Sequence, residues 1–216
     1  MKLFGDVVFK GGEKENRIYI IIAIIILVVI ILTVFFSSNT INKAFIDDVI
    51  LGSSWYEDIE ERTDKSQLFG LENFASFTYK NNNQSYPAYV TVTSIKLIFI
   101  MNEDDLLKTT EETLEDASEQ GIIIEKNTKT SGVRELVNDH KTTFIMYNGT
   151  DNSKEPSERI KIIGESWNCG SSGTSIICIG VAQITDNKNS DSKVDTTFWD
   201  EIIDEKAGLI SNVSCH

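Results

Sequence analysis

Residues 167–180 read WNCGSSGTSIICIG, with two cysteines on either side of a Gly/Ser/Thr run. Apolar β-branched residues flank that run, so the stretch reads as a β-hairpin. Gly173-Thr174 supplies a two-residue loop, because glycine at the first central position suits a type II′ turn. Positions facing each other then have numbers summing to 347, which sets Cys169 opposite Cys178 in a non-hydrogen-bonded pair. Cα atoms of such a pair lie about 4.5 Å apart, within the range a disulfide accepts. The same register sets Trp167 against Gly180 and Ile163 against Ile184. The expected bond is Cys169–Cys178, and closing so short a loop contributes roughly 2–3 kcal/mol. Cys215 is left over, as a free thiol, an intermolecular bridge or an inert residue.

Rival chemistries fit these cysteines less well. A zinc site uses four ligands, or three and a water, usually with CxxC-type spacing. Here eight residues separate the pair, and His140 and His216 are the only imidazoles. A thioredoxin-type centre wants CxxC, and a cysteine nucleophile wants a histidine base, whereas His140 falls in an expected turn. GSSGTS lacks the lysine and following helix of a phosphate loop, and no serine there satisfies G-x-S-x-G. From Asn187, calcium-loop spacing is met at Asn189 and Asp191 but fails at Ser192 and Phe198, so 186–195 reads as a solvated loop. No catalytic, cofactor-binding or metal-ligating residue is assigned.

Outward from the hairpin, the chain from Phe74 patterns as a compact domain. FASFTYK alternates and puts Ala75, Phe77 and Tyr79 on one face, and AYVTVTSIKLIFIM is a long β-branched run. NEDDLLKTTEETLEDASEQG follows as a helix, capped by Asn102 with Glu103, Asp104 and Asp105 in its first turn. Its buried stripe is Leu106, Leu107, Leu114 and Ala117, and Gly121 ends it. Strands are expected over 122–126, 132–137, 142–147, 159–169 and 175–185. A last helix over 196–206 has Asp195 as its cap and Phe198, Trp199, Ile202 and Ile203 inward. Glu165 shares a sheet face with Trp167, so once buried it needs Arg134 or Arg159 as partner.

Inward from the N-terminus, residues 18–36 read IYIIIAIIILVVIILTVFF, nineteen positions without a charge, Gly or Pro. A helix of that length spans about 28 Å, close to the bilayer's hydrocarbon thickness. The run is longer than a signal-peptide core and lacks a small-x-small cleavage site, so an uncleaved signal anchor is expected. Lys2, Lys10, Lys14 and Arg17 precede it and only Lys43 follows within twelve residues, which orients the N-terminus toward the cytoplasm. The expected division is a cytoplasmic leader (1–17), a transmembrane helix (18–36), a connector with helical character (37–70) and an extracytoplasmic domain (71–216). Within the connector, Trp55 either packs on the domain or sits at the headgroup layer.

Net charge is −13, and residues 1–36 hold four basic and three acidic side chains. The remaining 16 basic and 30 acidic groups leave the exported part at −14, which repels nucleic acid and anionic headgroups. Three N-x-S/T sequons, at Asn83, Asn148 and Asn212, fall in expected loops or the tail and would accept glycans in a cell that attaches them.

The order β-β-α-β-β-β-β-α, with the YPAYVTV entry into the sheet and a final helix after the long hairpin, defines an α+β domain whose helices pack on a mostly antiparallel sheet. Over residues 70–210 that order resembles the PsbP-like α/β/α sandwich fold. The resemblance implies a noncatalytic binding or assembly module without a cofactor, and transfers no site residue. The expected function is therefore a membrane-anchored extracytoplasmic binding or assembly domain. It would hold lipid through 18–36 and meet a protein partner in the envelope. A sensor or small-ligand domain is the alternative, and an enzyme ranks below both.

Overall fold

The computed structural model of the chain describes residues 41–67, 72–83, 85–97, 99–116, 121–153, 155–184 and 196–216. The apolar run 18–36, with the membrane helix expected there, lies outside the described residues. So do Ala117 and the whole of 186–195, Asp195 included. Among the described residues no helix is long and apolar enough to cross a membrane. The expected class, α+β with an N-terminal transmembrane helix, is corrected accordingly: the described residues form mostly antiparallel sheet, with no membrane-spanning helix among them.

Seven strands form that sheet among the described residues. They are β2 (Trp55–Gln67), β3 (Glu72–Asn81), β4 (Ala88–Leu97), β5 (Ile122–Glu135), β6 (Lys141–Asp151), β7 (Glu158–Cys169) and β8 (Thr174–Gln183). Their spatial order is β2-β3-β4-β8-β7-β6-β5, antiparallel at every step. Two meanders thus meet at β4 and β8. The helix α2 (Glu103–Asp116) carries the chain from the centre of the sheet to its far edge.

The 37–70 stretch is not a helical connector. It supplies one helical turn, α1 (Asp48–Leu51), and all thirteen residues of β2. Trp55 packs on the domain: it is buried, and its indole N–H donates to Glu201 Oε2 at 2.7 Å. The two strands expected over 122–126 and 132–137 are one, β5, with a register shift between Glu125 and Thr130.

Period-two alternation gives the sheet two apolar faces. One face, with Ile145, Ile160, Ile162 and Val181, receives Leu106, Thr110 and Leu114 of α2. Gly164 allows that approach, since a Cβ there would sit 2.7 Å from Thr110 Cγ2. Asn102 caps α2 as expected, accepting from the Asp105 backbone N–H at 2.8 Å.

The other face carries Tyr79, Val90, Val92, Ile163, Trp167 and Ile176. Its cover is assembled from short pieces: α1, α3 (Thr197–Ile203), a 3-10 turn (Ile210–Asn212) and a two-strand ribbon. In the ribbon, β1 (Phe45–Ile46) pairs with β9 (Val213–Ser214), Phe45 facing Ser214. α3 buries Trp199 and Ile202, while Phe198 and Ile203 stay half-exposed.

Candidate functional site

The β7–β8 hairpin forms where the sequence places it, in a different register. Cys169 faces Thr174 and Glu165 faces Cys178, so facing numbers sum to 343. The loop is Gly170 to Gly173, closed by the Gly173 N–H donating to Cys169 O at 2.9 Å. Gly173 has φ +64 and so ends a four-residue loop in the left-handed conformation instead of opening a two-residue one. Trp167 accordingly faces Ile176, and Gly180 faces Ile163.

This register breaks the expected Cys169–Cys178 disulfide. Cys169 bonds Cys215 instead, with Cα atoms 6.5 Å apart and a sequence separation of 46. Cys178 is a free, fully buried thiol. Burial, and then the nearby Glu165 carboxylate, push its pKa well above the ordinary thiol value.

Two imidazoles flank the Cys169–Cys215 pair. His140 Nε2 lies 3.2 Å from Cys215 Sγ and 3.9 Å from Cys169 Sγ. His216 Nδ1 lies 3.6 Å from each sulfur. All four ligand-type atoms fall within 4.8 Å of one another, and no other such His/Cys/Asp/Glu group occurs among the described residues. Burial and then the neighbouring His216 hold the His140 pKa below the ordinary imidazole value, which favours the neutral ring. The His140 ring also stacks on Trp167, their centroids 6.3 Å apart.

Each element holds its ligand for a separate reason. His140 ends the β5–β6 turn, where Asp139 has φ 62 and the Leu136 N–H donates to His140 O. Cys169 ends β7. Cys215 and His216 follow β9, which Asn138 secures by donating from Nδ2 to Val213 O at 2.8 Å. A signal for His140 existed in the strand pairing: β6–β7 partners sum to 309, and continuing that register sets His140 opposite Cys169. Cys215 had no such signal, because the β1–β9 ribbon that delivers it is only two residues long per strand.

Beside this cluster, the same face opens into a cleft of about 520 Å³ between β5–β6 and α3. Phe144, Met146, Ile163 and Ile203 give it apolar walls, and Asp200, Asp204 and Glu205 also line it. At its base Glu165, fully buried, accepts from Arg134 Nε at 2.7 Å and again from the second guanidinium nitrogen. Arg134 also donates to Ile203 O, and Thr142 Oγ1 donates to Glu165. Of the two partners expected for a buried Glu165, Arg134 and Arg159, the structure pairs it with Arg134, and this leaves the arginine without a free charge toward the cleft.

The sequons divide. Asn83 lies in an exposed turn, accepting from the Ser85 N–H. Asn148 sits within β6 and not in a loop, half-buried. Asn212 closes the 3-10 turn, its Nδ2 donating to Gly208 O at 2.8 Å and to Lys206 O. A glycan there would replace one of the two amide hydrogens that make these bonds, so Asn83 is the sequon best placed to accept one.

Comparison with protein families, with curated proteins and with solved structures returned no match to the chain.

Proposed function

We propose that residues 41–216 form a noncatalytic binding domain working outside the cytoplasm, delivered there by the apolar run 18–36. Its ligand is a small amphipathic molecule with an apolar body and a positive group. The cleft at β5–β6 carries this reading: its volume suits a small ligand, its walls are apolar, and its free charges are carboxylates. Arg134 cannot recruit an anion, because Glu165 and Ile203 O already hold its guanidinium. The disulfide fits an oxidising compartment.

The test is calorimetric titration with a short-chain alkyltrimethylammonium and with an alkyl sulfate of equal length. The cation should bind and the sulfate should not, and Ile203→Trp, which fills the cleft, should abolish the heat. Equal binding of both amphiphiles, or binding that survives Ile203→Trp, overturns the reading.

A protein partner is favoured by a separate observation. β5 is an edge strand, and Ile123 and Val133 on it and Val137 just beyond are more than half exposed. Such an edge can accept an added strand. Ile123→Lys, on the same edge strand but outside the cleft lining, should weaken partner capture and leave amphiphile binding unchanged.

A further inference from the structure

We propose that His140, Cys169, Cys215 and His216 form a Cys2His2 site for one zinc ion in the chain whose two cysteines are reduced, the disulfide being the metal-free state of the same four side chains. The claim goes beyond the cleft reading and does not depend on it.

Geometry carries it. Zinc–sulfur bonds of about 2.3 Å and zinc–nitrogen bonds of about 2.0–2.1 Å in a tetrahedron place sulfur and nitrogen roughly 3.6 Å apart. The four sulfur–nitrogen distances here are 3.2, 3.9, 3.6 and 3.6 Å. Two thiolates on one zinc stand about 3.8 Å apart, and Cα atoms 6.5 Å apart can present them so or join them in a disulfide.

Ligand chemistry points the same way. Two thiolates and two neutral imidazoles form a donor set that selects zinc over calcium or magnesium, which take oxygen ligands. Their two negative charges balance the dication inside a largely buried site. Both cysteines are buried, His140 is half-buried and His216 exposed, so the cation has an entry path past His216. Three separately anchored segments supply the ligands, so their arrangement is set by the fold before any ion arrives.

The redox step balances with a dithiol as reductant. The S–S bond breaks, two electrons and two protons pass to the cysteines, and the dithiol leaves as its own disulfide. Zinc then displaces the two thiol protons to solvent and takes the two thiolates with the two imidazoles. Exchange with a disulfide oxidant reverses this: the pair re-forms its S–S bond, the oxidant takes up two electrons and two protons and leaves as its dithiol, and the ion, having lost both charged ligands, is released. The same side chains thus report the compartment's redox poise as bound or released zinc.

The test uses the full chain in mild detergent, reduced with a dithiol, stripped by chelator and desalted without oxygen. Cobalt(II) alone is added first, then zinc alone. One cobalt per chain should bind with the visible absorption of a tetrahedral ion and thiolate charge transfer, and one equivalent of zinc should bleach it. The oxidised chain should bind none. His216→Ala, at an exposed position, should weaken binding by more than the roughly 10- to 100-fold that loss of a supporting partner costs, with the near-UV circular dichroism unchanged. Cys178→Ala should leave the cobalt spectrum intact. The proposal is overturned if the reduced folded chain gives no tetrahedral spectrum, or if that spectrum survives both His140→Ala and His216→Ala. A reduced chain that unfolds and does not refold on adding zinc overturns it as well.

Discussion

The two faces of the sheet are covered in opposite ways. One carries a single fourteen-residue helix, α2, seated on Gly164 and built from one local stretch of sequence. The other carries α1, α3, a 3-10 turn and the β1–β9 ribbon, gathered from both ends of the described chain. The buried Arg134–Glu165 pair, the Cys/His cluster and the cleft all lie on the second face. A continuous helix excludes water with apolar contacts alone. A patchwork leaves joints, and polar side chains fill and fasten them. The difference teaches that this molecule's chemistry collects where its cover is discontinuous.

The largest effect should come from the joint under the cleft. Arg134→Leu leaves Glu165 buried without its partner, and removing one member of such a pair costs about 3–5 kcal/mol. Urea denaturation should show that loss, and adding Glu165→Leu should restore most of it. If the single variant is as stable as the native chain, the pair does not fasten this face. Next is the disulfide: with chelator present, reduction should lower stability by about 4 kcal/mol, the chain-entropy value for a loop of this size. Cys178→Ala should leave that difference between oxidised and reduced protein unchanged.

On the helical face a smaller cost is expected from crowding. Gly164→Ala places a methyl 2.7 Å from Thr110 Cγ2 and 2.9 Å from Leu114 Cδ1. Overpacking of this kind costs about 1–3 kcal/mol. Thr110→Ser removes the nearest methyl yet keeps the hydroxyl that donates to Leu106 O, so the double variant should recover part of the loss. Simple additivity of the two changes would show that α2 shifts as a body, and the contrast between the faces would lose its structural basis.

The same contrast explains what could be read from the sequence. Asn102, the acidic first turn and Leu106 and Leu114 lie within one short window, so α2 was legible from local signals. Strand parity set Glu165 beside Trp167, and its burial called for an arginine, but Arg134 and Arg159 both remained open, and only the fold pairs Glu165 with Arg134 across 31 positions. The hairpin register was not legible, because Gly173 serves a two-residue and a four-residue loop equally well, and only packing chooses. With the register went the cysteine pairing. The Cys/His cluster depends on contacts 29 to 75 residues apart, closed by a ribbon too short to show a pattern. The β2 strand was missed because WYEDIEERTDKSQ carries mostly charge, and its neighbour β3 specifies it.

The smallest effect expected is a difference in acid response between the faces. Asp204, at the end of α3, has its pKa lowered first by the Ala207 N–H and then by the Lys206 N–H. Glu111, on α2, is lowered chiefly by Lys129 and then by Tyr147. With a folded pKa below the unfolded one, the unfolded chain binds more protons in the window between them. Each carboxylate's contribution is therefore complete above its unfolded pKa and lost as pH falls through the folded value. Backbone donors carry no ionic atmosphere, whereas an exposed ion pair is screened by salt. Asp204→Asn should thus flatten the acid limb of stability equally at low and high salt. Glu111→Gln should flatten it at low salt and hardly at all at high salt. Urea midpoints between pH 3 and pH 6 in the two salts measure this (a window set by ordinary carboxylate values near ~4). An Asp204 effect that salt erases would mean that charge, and not backbone hydrogen bonding, fastens the patchwork face at this joint.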